Sequence, residues 1–483
     1  MKNVLKVILE TILKIVVILI ISIISLFVVC RNMLPWPKLL AEVQLEPSRP
    51  ILYDEDITED NAFYYIRQIN SSDNEIGEAS KEYDRFVAYE WEEGKYPLLE
   101  KWVDNNADEV ALCRKAAEIQ ECQVATAISF ETLLPYLSPI RDKVKVLSFI
   151  AERDAAKGNW QSVLDSYKTM LIVGDHLSRG GCLINYLVDT VCTNVACQSM
   201  RKVVLQHKAP ESVLNSMISM VGQIDKKNEP FAEVLRYERM AAKNITDTTK
   251  LAIFKVNQTF PAGWLLIADL KEQNVNHSGK ISMRKAVADA LGSTPEKINQ
   301  TLDAVYSHLI DIASGPYDPD RFNTEILQYI EKHAKHPFLM LFSGDPVGRM
   351  LVSLHIPALN NALSYYNRHL ANLRGTALFL AVRLYQDKNN GNPPASLLEL
   401  SPEYIDKIPE DPFSKGNEPF KYIGENGSWK IYSVGANQSD NGGQYNFLIS
   451  SQLLEHEDEL DICFSSDELI LRQKEYQKKA QKR

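Results

Sequence analysis

FKYIGENGSWKIY, from Phe420 to Tyr432, is the stretch that decides the fold at the C-terminal end of this 483-residue chain. Apolar and polar residues alternate on both sides of Glu425-Asn426-Gly427, which is the pattern of two half-buried strands joined by a short turn. Asn and Gly tolerate positive φ, the conformation that two-residue hairpin turns require. We therefore predict an antiparallel β-hairpin here.

A single long helix is predicted before this hairpin. After Pro346, apolar residues recur at helical spacing as far as Tyr385, and Asn389-Asn390-Gly391 supplies residues that end helices. The apolar stripe of such a helix has to be buried. We expect it to pack on the inner face of the hairpin. The predicted fold class is therefore mainly α with a small α+β end, the latter covering residues 346–465.

Three segments after the long helix carry a resemblance to a known family. They are Asn392-Pro393-Pro394 with the apolar residues that follow, Pro409-Glu410-Asp411-Pro412-Phe413, and the stretch from Ile431 to Gly443. Together they resemble the C-terminal half of a pilin-type domain, most closely the major pseudopilin of type II secretion systems. The resemblance covers roughly a quarter of the chain, residues 346–464. It implies a long helix packed on a small antiparallel β-sheet of pilin type.

The same resemblance implies a calcium site, because the loop after the second strand binds calcium in pseudopilins. The implied ligands are Asn437, Asp440 and Asn441 in the loop and Asp461 in an Asp-Ile pair near the chain end. Oxygen donors on a Gly-rich loop suit a hard cation. The alternative is that Asn, Asp and Gly form turns without a metal. Residues 445–459 are an insertion relative to the family.

The N-terminal end departs from the pilin pattern. The Gly-Phe processing site of pilins is missing before Glu10, and about three hundred residues separate the apolar N-terminus from the predicted sheet. We therefore do not expect an assembled pilin subunit. The layout of anchor, helical body and pilin-like end resembles large membrane-anchored envelope proteins of planctomycete-type bacteria.

The segment from Val7 to Cys30 is almost wholly apolar. Its roughly 24 residues, at about 1.5 Å each, cover about 36 Å as a helix, enough to cross a bilayer. A cleaved signal peptide is the alternative, but no small-residue cleavage site precedes Arg31. Lysines in and before the segment favour a cytoplasmic N-terminus. We expect residues 1–30 to be a cytoplasmic tip and single-pass anchor in the inner membrane, with the remainder extracytoplasmic.

Proline spacing and helical periodicity divide the rest of the chain. Residues 31–53 are predicted to be a poorly structured stalk, and residues 54–345 a multi-helix body. Within the body, two amphipathic segments are separated by Gly158-Asn159-Trp160, and a third begins after Gly180-Gly181. Helix, small-residue turn and helix resemble one tetratricopeptide-like hairpin, without a second copy at a fixed period.

Charge and cysteine content exclude some classes of function. The net charge is −10, and because residues 1–30 contribute +2, the remainder carries −12. Such an acidic chain argues against nucleic acid as a partner. Residues 466–483 are locally basic, and we predict a solvated helical tail there. The seven cysteines lack zinc-ribbon or thioredoxin spacing, so buried free thiols are predicted.

Catalytic patterns are weak in this sequence. Ser282 and Lys285 fit Ser-x-x-Lys, but the companion motifs of that chemistry are absent. His333 and His336 are better explained as favourable charges at a helix C-terminus than as metal ligands. We predict a non-enzymatic structural or interaction component of the cell envelope, with envelope proteins as partners and secretion as one option. The alternative is an exported hydrolase with a site in residues 208–345.

Overall fold

The computed structural model describes residues 38–70, 76–128, 132–243, 294–328, 345–425, 427–444 and 461–482. In these ranges the chain is mainly helical with one small antiparallel sheet near its C-terminal end, which confirms the predicted fold class at that level. The predicted membrane anchor, residues 7–30, lies outside them. None of the helices in the described ranges combines the length and apolarity needed to cross a membrane.

The regular elements are numbered here in chain order. The helices are α1 (Phe63–Ile66), α2 (Ile76–Ala88), α3 (Pro97–Asn105), α4 (Ala107–Glu118), α5 (Leu137–Ala156), α6 (Trp160–Ser178), α7 (Leu183–Gln206), α8 (Glu211–Lys227), α9 (Phe231–Lys243), α10 (Pro295–Ala313), α11 (Pro319–Phe322), α12 (Pro346–Lys388) and α13 (Glu468–Lys482). The strands are β1 (Lys421–Glu425), β2 (Ser428–Ser433) and β3 (Ile462–Ser465).

Helices α5, α6 and α7 pack against one another at the centre of the body. The predicted helical hairpin is confirmed, since α5 and α6 are joined by a tight turn at Gly158, whose φ is 77°. Gly180 has the same φ and ends α6 before α7. A left-handed conformation of this kind favours glycine, because a side chain would clash with its own backbone. The chain therefore reverses direction at the glycines that separate the predicted helical segments.

The 43-residue helix α12 connects two apolar cores. Its N-terminal half contributes Val352, Leu359 and Leu363 to a core shared with α9 and α10. Its C-terminal half, including Leu373 and Leu380, belongs to the larger core formed with α7, α8 and the sheet. The helix begins at a capping carboxylate, since Asp345 Oδ1 accepts the Gly348 N–H at 3.0 Å. It ends at the predicted place, before Asn389.

The predicted β-hairpin is confirmed and is extended by a third strand. The strand order is β1-β2-β3, and all pairs are antiparallel. Residue pairing of Glu425 with Ser428 leaves a two-residue turn in which Gly427 has a φ of 83°. The inner face lies on α12, where the rings of Phe379 and Trp429 are 4.9 Å apart. The sheet and long helix thus form the α+β end that the sequence predicts.

A small residue on α12 allows this close packing. Gly375 lies directly beneath the Phe464 ring of β3, and a Cβ added to it would be 2.1 Å from Cε2 of that ring. No side chain fits at such a distance. The indole N–H of Trp429 also donates to Gln386 Oε1 of α12 at 3.0 Å. At this point the Phe464 ring of β3 therefore packs directly on the backbone of α12.

Residues 38–53 of the predicted stalk contain no extended helix or strand but lie against the helical body. The Leu40 N–H donates to Ser307 Oγ of α10 at 3.1 Å. Farther along, the Ser48 N–H donates to Glu233 Oε1 of α9 at 2.6 Å, and Arg49 forms an ion pair with Glu229 at 2.9 Å. We call residues 38–50 the strap. The local sequence does not reveal these contacts, because the polar partners on α9 and α10 lie far away in the chain.

The C-terminal tail is helical but not solvated along its whole length. Glu468 and Arg472, in the first turns of α13, are each only 1% exposed. Farther along, the Tyr476 ring packs edge-on against Tyr89 at 5.6 Å. The solvated tail predicted for residues 466–483 is therefore wrong for the start of α13. Its charged residues are buried because they have opposite charges to pair with.

The cysteines of the described ranges form no disulfides. Five of them, Cys113, Cys122, Cys182, Cys192 and Cys197, are buried, and Cys463 is partly buried. Burial raises the pKa of the Cys197 thiol to about 11, and the other four buried thiols are shifted upward for the same reason. The prediction of buried free thiols is confirmed for these five.

Candidate functional site

The four predicted calcium ligands do come together in one loop after β2. The Asn437 side-chain amide donates to Asn441 Oδ1 at 3.2 Å. The Asn441 N–H in turn donates to the Asp461 carboxylate, at 3.2 Å from Oδ2. Asp440 Oδ1 accepts the Tyr432 hydroxyl at 3.1 Å, which fixes the loop to β2. Residues 437–441 and the start of β3 are thus linked across the insertion.

This loop does not present a free set of oxygen ligands. Asp461 Oδ2 also accepts the Gly443 N–H at 2.7 Å, and Asp440 Oδ1 accepts the Gly442 N–H at 2.9 Å. The Lys430 ammonium donates to Gly443 O at 2.9 Å and so adds a positive charge beside the loop. No group of three or more His, Cys, Asp or Glu side chains suited to a metal ion occurs in the described ranges. As arranged here, these residues do not fit a calcium ion, and calcium stays a prediction from the sequence.

Asp411, in the middle of the Pro409–Phe413 segment, has a structural role that sequence reasoning did not assign. Its carboxylate accepts the Ser433 hydroxyl at 2.7 Å and the backbone N–H groups of Phe413 and Val434, each at 3.0 Å. Burial raises the pKa of this carboxyl, and the three donors act against that shift. Asp411 therefore fastens the loop before the sheet to the end of β2. In the sequence, the prolines on either side of Glu410-Asp411 were the feature that could have indicated this role.

A buried cluster of charges joins α13 to the helical body. Glu468 lies between two guanidinium groups, accepting from Arg201 Nε of α7 at 2.9 Å and from Arg472 within α13. Arg201 also donates to Asn372 Oδ1 at 3.1 Å and to the Thr376 hydroxyl, both on α12. Burial alone would raise the pKa of Glu468, but Arg201 and Arg472 hold it below its ordinary value. We call Arg201, Glu468 and Arg472 the buried triad.

A second buried ion pair lies close to the triad. Lys202 of α7 contacts Glu152 of α5, and its ammonium also donates to Phe86 O of α2 at 2.7 Å. Ser199 Oγ donates to the other Glu152 oxygen at 3.1 Å. Burial raises the pKa of Glu152 and lowers that of Lys202, so it disfavours the charge on both partners. The pair joins three helices whose members are far apart in sequence.

Sequence reasoning missed both clusters. Arg201 and Lys202 stand between the apolar residues Met200 and Val203, and this placement was the only signal. Their acidic partners, Glu468 and Glu152, are 267 and 50 residues away. No local pattern identifies such partners. The triad and its neighbours join α7, α12 and α13 through buried polar contacts.

The weak catalytic candidates lie outside the described residues. This holds for Ser282 and Lys285 and for His333 and His336. Of the region proposed for a hydrolase site, residues 208–345, the described parts form α8, α9, α10 and α11. On α8, the Ser216 hydroxyl donates to Ser212 O at 2.9 Å, and Ser219 Oγ accepts from Gln223 at 3.1 Å. Neither serine has a histidine among these hydrogen-bond partners.

Comparison of the chain with protein-family models, with curated proteins and with solved structures gave no match. The resemblance to the major pseudopilin therefore stays a prediction that rests on the quoted segments.

Proposed function

We propose that this protein is a membrane-tethered, extracytoplasmic component of the bacterial cell envelope that acts as a structural or interaction platform. Residues 7–30 are its anchor, and the α+β end is of pseudopilin type. It contacts the lipid bilayer through the anchor and other envelope proteins through its folded part. A link to secretion is part of the same proposal.

The observation that carries the proposal is the covering of α12 on both sides. Its C-terminal half packs against the sheet on one side and against α7 and α8 on the other. Buried polar contacts fix this arrangement, because Arg201 of α7 reaches Asn372 and Thr376 of α12 as well as Glu468 of α13. A pilin-like end held in this way keeps its position relative to α7 and α13 through these contacts.

Two features of the chain support the tethering. The apolar residues 7–30 are followed closely by the strap, which holds residues 38–50 on α9 and α10. The lysine bias favours a location of the bulk of the chain outside the cytoplasm. The acidic balance of that part suits an exported protein whose partners are proteins rather than nucleic acid.

The test combines membrane extraction, protease access and capture of partners. Full-length protein with a C-terminal epitope is expected to stay in the membrane pellet after alkaline carbonate washing and to lose the epitope when spheroplasts are treated with protease. A matched variant lacking residues 7–30 is expected in the soluble fraction. Recovery of full-length protein in the cytosolic fraction, or an epitope protected in intact spheroplasts, would contradict the proposal.

Partner capture tests the platform itself. Cross-linking in membranes is expected to recover an envelope protein at about one copy per chain. The Glu468→Gln variant, which removes the charge that pairs with Arg201 and Arg472, is expected to stay in the membrane but to lose this partner. The matched Asp467→Asn variant changes an exposed neighbour and is expected to keep it. Equal capture by all three proteins would show that the fixed geometry is not needed.

A further inference from the structure

A cleft of about 520 Å³ lies between α6 and α8, with the end of α4 along one side. Its volume falls in the range of about 300–1,000 Å³ that is typical of small-molecule sites. Leu171, Ile172 and Ile224 give it an apolar floor. Polar side chains from α8, among them Ser219 and Gln223, line its rim. The cleft is separate from the predicted calcium loop and from the buried triad.

The charges around this cleft are mainly positive. Lys168, Arg179 and Lys227 line it, with Asp175 as the acidic residue among the lining side chains, which leaves a net charge of +2. Asp175 is already paired with Arg179. Lys168 and Lys227 have no ion-pair partner among the described residues. On a chain with a net charge of −10, a positive cleft favours an anionic ligand.

A buried histidine lines the same cleft with an unused polar atom. His176 is 1% exposed, and its Nδ1 has no hydrogen-bond partner in the described part of the chain. Burial, together with the nearby charges of Arg179 and Lys227, lowers the pKa of His176 to about 3, so the ring is neutral at pH 7. Buried polar atoms without partners are uncommon in native proteins and call for a ligand, a water or another explanation. A neutral imidazole can pair with a polar group of a bound molecule.

We infer that this cleft binds a small organic anion with a compact apolar body, such as an aromatic or short aliphatic acid. The acid group pairs with the ammonium groups of Lys168 and Lys227. The apolar body covers Leu171 and Ile172, and a polar substituent of the ligand reaches His176. Charge complementarity selects the anion, and the apolar floor selects against small inorganic ions. This inference does not depend on the proposed envelope function.

The test uses two fluorinated probes of similar shape, one anionic and one neutral. Full-length protein in lipid nanodiscs is titrated into 4-(trifluoromethyl)benzoate or the neutral 4-(trifluoromethyl)benzamide, and ¹⁹F line broadening gives Kd after subtraction of protein-free nanodiscs. We expect the acid to bind at least about tenfold more tightly than the amide. Equal Kd values for acid and amide, or no measurable binding of the acid, would overturn the inference.

Two pairs of variants locate the binding. The Lys168→Glu, Lys227→Glu double variant is expected to remove the preference for the acid, whereas Lys415→Glu, a charge reversal at an exposed residue elsewhere, is expected to keep it. Ser219→Trp is expected to fill the cleft and abolish binding of both probes. Ser212→Trp, an exposed residue two turns away on α8 that does not line the cleft, is the matched control. Unchanged binding in the double variant and in Ser219→Trp would refute the site, and circular dichroism verifies that each variant is folded.

Discussion

Replacement of Glu468 by glutamine tests whether the buried triad holds α13 on the body. The substitution keeps the size of the side chain but removes the negative charge between Arg201 and Arg472. Both guanidinium groups are nearly inaccessible to solvent, with 5% and 1% of their side chains exposed. They would then repel each other without the carboxylate that now separates them. Removing one partner of a buried ion pair typically costs about 3–5 kcal/mol.

This cost is expected to appear first as detachment of α13. None of the described residues of α13 belongs to the two apolar cores, so the helix can leave the body without unfolding them. A loss of about 3–5 kcal/mol raises the opening equilibrium by roughly two to three and a half orders of magnitude. Hydrogen exchange measured by mass spectrometry should show the α13 amides exchanging faster by that factor. If the free energy of opening in the wild type is smaller than the loss of about 3–5 kcal/mol, the α13 amides of the variant should show no protection. Amides of α5 and α6 should change little.

The matched control is Asp467→Asn. It removes a carboxylate charge one residue away, at an exposed position, and Asn serves equally well before a helix. We expect its exchange rates in α13 to stay within a few-fold of wild type. If Glu468→Gln behaves like Asp467→Asn, or accelerates exchange less than tenfold, then the apolar contacts of α13 hold it in place and the reasoning from buried charge is wrong.

Three further predictions concern the cores and the sheet. Burial lowers the pKa of His369 to about 4, so protonation favours the unfolded chain and the free energy of unfolding should fall as pH drops from 6.5 toward 4. At pH 4.5 urea unfolding should show a loss of about 2.5 kcal/mol. An equal pH dependence in the His369→Phe variant would contradict this prediction. Gly375→Ala should cost about 1–3 kcal/mol of stability, because the added Cβ meets the Phe464 ring. The control Gly222→Ala on α8, which has open space around it, should be neutral or slightly stabilising. Similar melting temperatures for the two variants would refute the packing argument. Asp411→Asn should cost about 1–3 kcal/mol, because the Ser433 hydroxyl and the Val434 N–H donate to different carboxylate oxygens and asparagine keeps only one accepting oxygen. Unchanged exchange at residues 433–435 would show that the carboxylate is dispensable.

Local chemistry in the sequence predicted the elements that depend on it. The turn at Gly427, the end of α12 before Asn389 and the reversal at Gly158 all follow from residues that tolerate positive φ, and each lies where it was expected. These predictions succeeded because the deciding interactions are between neighbours in the chain. The helical body followed from apolar periodicity for the same reason.

Long-range pairing accounts for what the sequence did not reveal. The strap contacts α9 and α10 across more than 180 residues, as in the bond from Ser48 to Glu233. Glu468 meets Arg201 across 267 residues. Seen locally, these side chains look like ordinary solvated charges. The loop after β2 shows the converse, since Asn437, Asp440, Asn441 and Asp461 were correctly grouped, but their hydrogen bonds to backbone N–H groups could not be predicted from residue types alone.

The strap also sets a limit on distance. Leu40, where the strap first bonds to α10, is the tenth residue after Cys30, which ends the apolar segment. A fully extended chain of that length reaches at most about 35 Å. If residues 7–30 lie in a bilayer, the α10 end of the body is therefore confined to a thin layer next to the lipid headgroups. A partner that binds near this end of α10 must therefore meet the molecule within about 35 Å of the membrane.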